Sequence, residues 1–98
     1  MRRLKIIVGP AAERDLLAIR DFIAEQAPER ALEYYDFLLD CVRELGVFPR
    51  RYPREPAFDR SGREVRVRPV GAYRIIYAVR SSDVYVLRVR HGARRRTQ

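Results

Sequence analysis

The sequence is poor in the residues that build disulfides, metal clusters and membrane spans. Its 98 residues include one cysteine, one histidine and no tryptophan. The single cysteine, Cys41, excludes an internal disulfide and a cysteine metal cluster. No apolar run approaches the ~18 residues that cross a bilayer, and the apolar run at 6–8 is too short for a signal peptide. We therefore expect one domain over residues 1–98, located in the cytoplasm, with neither a cofactor nor a metal.

Lysine is almost absent, since 20 of the 21 basic residues are arginines, and the acids are concentrated in one stretch. Residues 9–47 hold nine of the 13 acids and four of the bases, a net charge of −5, so the rest of the chain carries +13. Arginine keeps its proton and presents a planar fork that suits carboxylate and phosphate. The basic part predicts an anionic partner, either nucleic acid, an acidic peptide or an acidic protein surface.

Two helices are predicted in the acidic stretch. A β-branched strand over residues 3–8 ends at Gly9. Pro10 suits the first position of a helix, and apolar residues follow it at helical spacing. Pro28 ends this helix and opens a second one over 28–46, which is apolar around most of its circumference and is expected to be covered on several sides. Three acids of the first helix are expected on its solvent side: Asp15, Asp21 and Glu25.

After a proline-containing loop over 47–62, the pattern changes to a period of two and predicts an antiparallel meander of three strands. The element order is then β-α-α-β-β-β, an α+β fold in which a helical hairpin packs on one face of an antiparallel sheet. Strand parity allows eight side chains to share the helix side: Val65, Val67, Ile75, Tyr77, Val79, Tyr85, Leu87 and Val89. It allows six others to share the opposite side: Arg66, Arg68, Arg74, Arg80, Arg88 and Arg90.

This predicted arginine face has two interpretations. A solvated sheet face can be charged without any function. Six like charges on three adjacent strands, however, repel one another unless an anionic partner compensates them. We therefore expect the arginine face to be the functional surface.

Recognisable catalytic motifs are missing. The sequence contains no P-loop, dinucleotide fingerprint, HExxH motif or EF-hand. Cys41 is expected to be a thiol of the core. His91 belongs to a residue type that often serves as general acid or base, but parity places it on the side opposite Arg88 and Arg90, which favours a local hydrogen bond or a partner contact over catalysis.

Five strings follow one another in order between residues 10 and 94: PAAERDL at 10–16, IRDFIA at 19–24, FPRRYP at 48–53, RVRPVGAYRIIY at 66–77 and VLRVRHGAR at 86–94. In this order they resemble the ParE branch of the ParE/RelE superfamily of type II toxin–antitoxin toxins. The resemblance implies the same β-α-α-β-β-β fold. It also implies a cognate antitoxin, whose acidic extended segment covers the arginine face in a hetero-oligomer, and inhibition of DNA gyrase as the toxic activity.

RelE-like relatives instead cut messenger RNA on the ribosome, and the resemblance identifies the residues that such a nuclease would use. Arg66, Arg68 and Arg74 match its basic positions, and His91 is the candidate for its C-terminal proton-transfer group. Arginine is a poor general base, and no tyrosine follows Tyr85. We therefore expect a binding inhibitor, with the six arginines contacting antitoxin or target. An mRNA endonuclease and a non-catalytic nucleic-acid-binding module are the alternatives.

Overall fold

The structure is a computed structural model that describes residues 3–58 and 62–92. Its main elements follow the predicted order: β1 (Lys5–Val8), α1 (Pro10–Gln26), α2 (Pro28–Arg43), β2 (Glu64–Val70), β3 (Tyr73–Val79) and β4 (Asp83–His91). Short 3₁₀ turns occupy Glu44–Gly46 and Pro49–Arg51. The α+β fold class is confirmed, and each helix begins at the predicted proline. The tail at 93–98, expected to supply no catalytic tyrosine, lies outside the described residues.

The four strands form one sheet in the order β1-β4-β3-β2. Strands β2, β3 and β4 are the predicted antiparallel meander. β1 lies on the far side of β4 and runs parallel to it, with Lys5 opposite Asp83 and Val8 opposite Val86. The sheet is therefore mixed and β4 is an interior strand, a pairing that the sequence pattern had left unassigned. The helical hairpin covers one face, which we call the helix side; the other is the outer face.

The turn between β2 and β3 decides which side chains of β2 face the helices. Val70 pairs with Tyr73, so the turn has two residues, and its Gly71 adopts a φ of +57°, which glycine tolerates without strain. Directly opposite residues share a face, and Arg68 lies opposite Ile75. A register that differs by one residue exchanges the two faces of a strand, so the prediction that Val65 and Val67 face the helices was wrong.

An irregularity in β4 exchanges the predicted faces of Tyr85 and Leu87, whereas Val89 keeps its predicted face. Tyr77 lies opposite Val86, whereas the residue before Tyr77 lies opposite Arg88. The pairing thus skips Leu87, as in a β-bulge. Leu87 and Tyr85 pack on the outer face, so the prediction that they face the helices was wrong.

Each face of the sheet carries its own apolar cluster. The larger cluster lies between the sheet and the helices and includes Leu16, Leu38, Ile75, Tyr77 and Val86. The smaller cluster lies on the outer face and consists of Val65, Val67, Ile76 and Ala78, with Phe58, Tyr85 and Leu87 packed against it. The centre of the outer face is therefore apolar rather than cationic.

The prediction that α2 is covered on several sides was wrong. Its side facing the core is buried, as expected for Cys41, but Leu32 and Phe37 are 64% and 50% exposed. On α1, Phe22 is 56% exposed. Within the described ranges, no helix is both long and apolar enough to cross a membrane.

Candidate functional site

The six arginines expected on one face lie at four different places. Arg66 and Arg68 belong to the helix side, because of the two-residue turn. Arg74 and Arg90 lie opposite each other on the outer face. The remaining two lie at the final hairpin and at the edge of β4: Arg80 and Arg88. The predicted common arginine face was therefore wrong, because the register of β2 moves Arg66 and Arg68 to the helix side.

Arg68 is fixed against the end of α2. Its Nη1 atom lies 2.9 Å from the carbonyl oxygen of Cys41 and 2.9 Å from Oε1 of Glu44, and its guanidinium carbon lies 5.2 Å from the ring centre of Tyr52. Partial burial opposes the charge, but the hydrogen bond to Glu44 raises the pKa of Arg68. A cation at the C-terminal end of a helix stabilises its unpaired carbonyls, so this arginine has a structural role.

Arg66 fixes the loop that follows the helices. Its Nη1 atom donates to the carbonyl oxygen of Tyr52 at 2.6 Å, and its Nε atom donates to Oε2 of Glu64 at 2.7 Å. Arg50 binds the same carboxylate through two nitrogens, at 2.9 and 2.8 Å. Partial burial alone would raise the pKa of Glu64, but hydrogen bonds from these two arginines hold it below its usual value.

Arg88 connects β4 to α1 through Asp15. Its Nε and Nη2 atoms lie 2.8 and 3.0 Å from the two carboxylate oxygens, and the backbone nitrogen of Val89 donates to the same group at 2.8 Å. β1 pairs with β4 only as far as Val86, so Asp15 accepts a bond from the strand edge that β1 leaves uncovered. The expectation that Asp15 faces solvent was wrong, because no local pattern reveals partners on a distant strand.

Arg80 closes the last hairpin. Its Nε atom donates to Oδ1 of Asp83 at 2.6 Å, and its guanidinium carbon lies 4.9 Å from the ring centre of Tyr85. Both partners belong to the neighbouring strand end. This arginine is half exposed and remains near the surface of the outer face.

Arg74 and Arg90 form what we call the outer-face pair. Nη2 of Arg74 lies 2.7 Å from Oε1 of Glu55. Arg90 is exposed, and its side chain has no ion pair or hydrogen bond with residues 3–58 or 62–92. The two arginines line a groove of about 250 Å³ together with Phe58 and Ile76. The two guanidinium groups have a single carboxylate, that of Glu55, so positive charge remains beside the apolar side chains of the groove. This combination suits an acidic peptide.

The four residues that a nuclease would use do not all lie on one face of the sheet. Arg66 and Arg68 lie on the helix side and hold backbone carbonyls, whereas Arg74 lies on the outer face. His91 lies on the helix side, where its ring packs edge-on against Tyr73 at 5.4 Å between centroids. Among the residues that the structure describes, no group of histidine, cysteine and acidic side chains could hold a metal ion.

The sequence interpretation did not identify a row of aromatic side chains at one end of the helix side. The ring of Tyr34 lies 5.8 Å from that of Phe37 and 6.2 Å from that of Tyr73, which contacts His91. We call these four residues the aromatic row. It borders a groove of about 250 Å³ that Ile19 and Phe22 also line. The row joins α2, β3 and β4, and only their assembly reveals it.

Comparison with known proteins agrees with the geometry. A family model for the ParE toxin of the type II toxin–antitoxin system parDE matches residues 6–96. A solved structure of a chromosomal ParDE toxin–antitoxin system from P. aeruginosa contains a chain 20% identical to this one, with a TM-score of 0.76, covering 91% of this chain and 96% of that chain. At this identity the likeness shows a shared fold. Comparison with curated proteins found no match. The predicted family is confirmed: the chain belongs to the ParE toxin family of type II toxin–antitoxin systems.

Proposed function

We propose that this ParE-family chain inhibits DNA gyrase by binding to it, and that a cognate antitoxin keeps it inactive in the cytoplasm. The observation that carries the proposal is the separation of Arg74 from the other three candidate nuclease residues, which lie on the opposite face of the sheet. A general base and the groups that stabilise a transition-state phosphate must reach one substrate position together. Arg74 lies across the sheet from Arg66 and Arg68, which supports inhibition by binding over cleavage of messenger RNA.

The antitoxin is proposed to bind at two places that the helices and loops leave open. An acidic extended segment fits the outer-face pair, because Arg90 has no carboxylate of its own among the described residues and Arg74 has one. Apolar antitoxin side chains fit the aromatic row. The charge of +13 outside residues 9–47 supports an acidic partner.

The other four arginines remain predicted contacts of antitoxin or target, but each already has a partner within the chain. Arg66 and Arg68 would have to release backbone carbonyls before binding a new anion, and an unpaired buried carbonyl is costly. Arg80 and Arg88 would have to share Asp83 and Asp15. We therefore expect the outer-face pair to contribute most of the charge-dependent affinity.

A gyrase supercoiling assay with the purified chain tests the proposal. We expect micromolar toxin to block supercoiling and to increase the fraction of cleaved plasmid after denaturation, and we expect equimolar antitoxin to restore supercoiling. Absence of inhibition at micromolar toxin would contradict the proposal. Primer extension on ribosome-associated messages after induction tests the alternative, since new 5′ ends would identify an mRNA endonuclease instead.

A further inference from the structure

Phe48 combines an exposed ring with an unfavourable backbone conformation. Its φ and ψ are 53° and 56°, and among the described residues no other side-chain-bearing residue has a positive φ. Bulky residues pay a steric cost in this left-handed region. The side chain is 58% exposed, so its own burial does not offset that cost. Contacts elsewhere must impose the conformation.

Those contacts are made by side chains of the sheet to the loop that follows Phe48. The hydroxyl of buried Tyr77 donates to the carbonyl oxygen of Pro49 at 2.6 Å, and burial raises the pKa of Tyr77, so it remains a donor. Arg66 donates to the carbonyl oxygen of Tyr52. These side chains fix the backbone on the C-terminal side of Phe48. The ring therefore stands at the surface on an ordered support, and such preorganisation lowers the entropy cost of binding.

The surroundings of the ring carry unbalanced positive charge. Arg50 and Arg66 share a single carboxylate, that of Glu64. Arg3 and Arg51 are exposed and form no ion pair with another residue of 3–58 or 62–92. They line one groove together with Glu44, whose carboxylate is paired with Arg68. An anionic ligand would compensate these cations.

A second groove adjoins the first, and the two share Arg51. Its lining is almost wholly apolar and consists of Phe48, Pro49, Arg50 and Arg51. The site therefore offers an aromatic face and an apolar cleft with cations spread along two grooves. A single carboxylate would occupy one of these cations, whereas a strand with a phosphate at every unit can contact them in succession.

We propose that the segment 48–51, the Phe48 tip, binds single-stranded nucleic acid. One base stacks on the ring of Phe48, and Arg3, Arg50 and Arg51 contact the neighbouring phosphates. Stacking on an aromatic side chain tolerates any base, and it requires bases that are free of a duplex stack. This activity is separate from the proposed inhibition of gyrase and is measured without gyrase.

Fluorescence anisotropy with a labelled 12-nucleotide oligothymidylate, and with a hairpin duplex of equal charge, tests the proposal. We expect the full chain to bind the single strand more tightly than the duplex. Phe48→Ala should weaken binding to the single strand about tenfold, the range expected for one stacked base, whereas Phe48→Tyr should bind within twofold of the unchanged chain. Arg51→Ala should reduce the slope of log affinity against log salt by about 0.7, the value for one phosphate contact.

Matched controls come from the acidic hairpin, where exposed residues of the same kind line neither groove of the tip. Leu32→Ala removes an exposed apolar side chain, and Arg43→Ala removes an exposed arginine that pairs with Asp40. Both should bind the single strand like the unchanged chain. Circular dichroism of each variant establishes that the fold is intact.

Three results would overturn the proposal. Equal binding of single strand and duplex would indicate charge attraction without stacking. Unchanged affinity of the Phe48→Ala variant would exclude the ring as a platform. Loss of gyrase or antitoxin binding in that variant, with no binding of the oligonucleotide by the unchanged chain, would identify the tip as a contact for a protein pocket instead.

Discussion

On the helix side of the sheet, Arg68 donates to a main-chain carbonyl and a carboxylate and stacks over Tyr52; on the outer face, Arg90 is exposed and has no such partner among the described residues. Both residues belong to strands, and both alternate with valines. The difference teaches that an arginine's place in a strand pattern does not determine its role. The partners that surround the arginine determine its role. The positive charge available to a ligand is therefore smaller than the number of arginines suggests.

The largest expected effect is on stability. It comes from comparing the two apolar clusters by truncating one of two neighbouring residues of β3 in each. Ile75 belongs to the core under the helices and Ile76 to the outer cluster, and both are almost fully buried. We expect Ile75→Ala to lower the free energy of unfolding by about 4 kcal/mol and Ile76→Ala by about 2 kcal/mol, because a cavity in a small loop-covered cluster collapses more easily. Urea denaturation measures both, and equal losses would show that the outer cluster is as tightly packed as the core.

The second comparison replaces one arginine on each face. Arg68→Ala should cost about 2 kcal/mol, since it removes a charged donor from a backbone carbonyl and from Glu44. Arg90→Ala should change stability by less than ~0.5 kcal/mol, as for most exposed sites. Thermal unfolding should therefore show a clear fall in Tm for Arg68→Ala only. A similar fall for both variants would remove the distinction between structural and available arginines.

The third comparison measures binding. Arg74→Ala and Arg90→Ala should each weaken antitoxin binding by about 1–2 kcal/mol, roughly five- to thirtyfold, as for a charged contact at an interface. Arg43→Ala, on the acidic hairpin, should have no effect. Isothermal titration calorimetry with the cognate antitoxin provides the affinities. If the pair can be removed without loss, the antitoxin binds elsewhere, and the aromatic row becomes the next place to test through Tyr73→Ala.

The smallest effect concerns pH. Hydrogen bonds from Arg50 and Arg66 outweigh partial burial and keep the pKa of Glu64 low in the folded chain. A carboxyl with a lowered pKa contributes stability at pH values above its unfolded pKa of about 4.3, and loses it as the pH falls through the folded value. Between about pH 5 and pH 3, Glu64→Gln should therefore lose less stability than the unchanged chain. Parallel curves from chemical denaturation across this range would contradict the assignment.

Local rules predicted much of the fold. Pro10 and Pro28 fix where the helices begin, because proline suits the first helical turn, and alternating valines identify the meander. The predictions that failed concerned the face of the sheet on which a side chain lies. They depended on two local features, the two-residue turn at Gly71 and the bulge at Leu87, each of which reverses that face. The pattern of alternation is the same in either register, so the sequence alone did not distinguish them.

The candidate sites were harder to predict, because their residues meet only in three dimensions. Asp15 binds Arg88 from another element, and the aromatic row joins two strands to a helix. The arginines at 74 and 90 were correctly assigned to a common face, opposite His91. Both lie in the part of the β3–β4 pairing beyond the bulge, so the bulge does not change their faces relative to each other. Phe48 was part of a family string, but neither its exposure nor its backbone conformation could be derived from that string.

The position of β4 between β1 and β3 also determines when the two proposed antitoxin surfaces can form. β1 precedes both helices, but β4, the strand with which it pairs, follows all the other elements described. Contacts between distant parts of a chain slow folding, and the outer-face pair and the aromatic row both require residues of β4. Both surfaces therefore form only when β4 joins the sheet, and before this step the antitoxin lacks its proposed places of binding. Refolding followed by stopped-flow fluorescence measures how long this step takes, and antitoxin added during refolding should bind only after it.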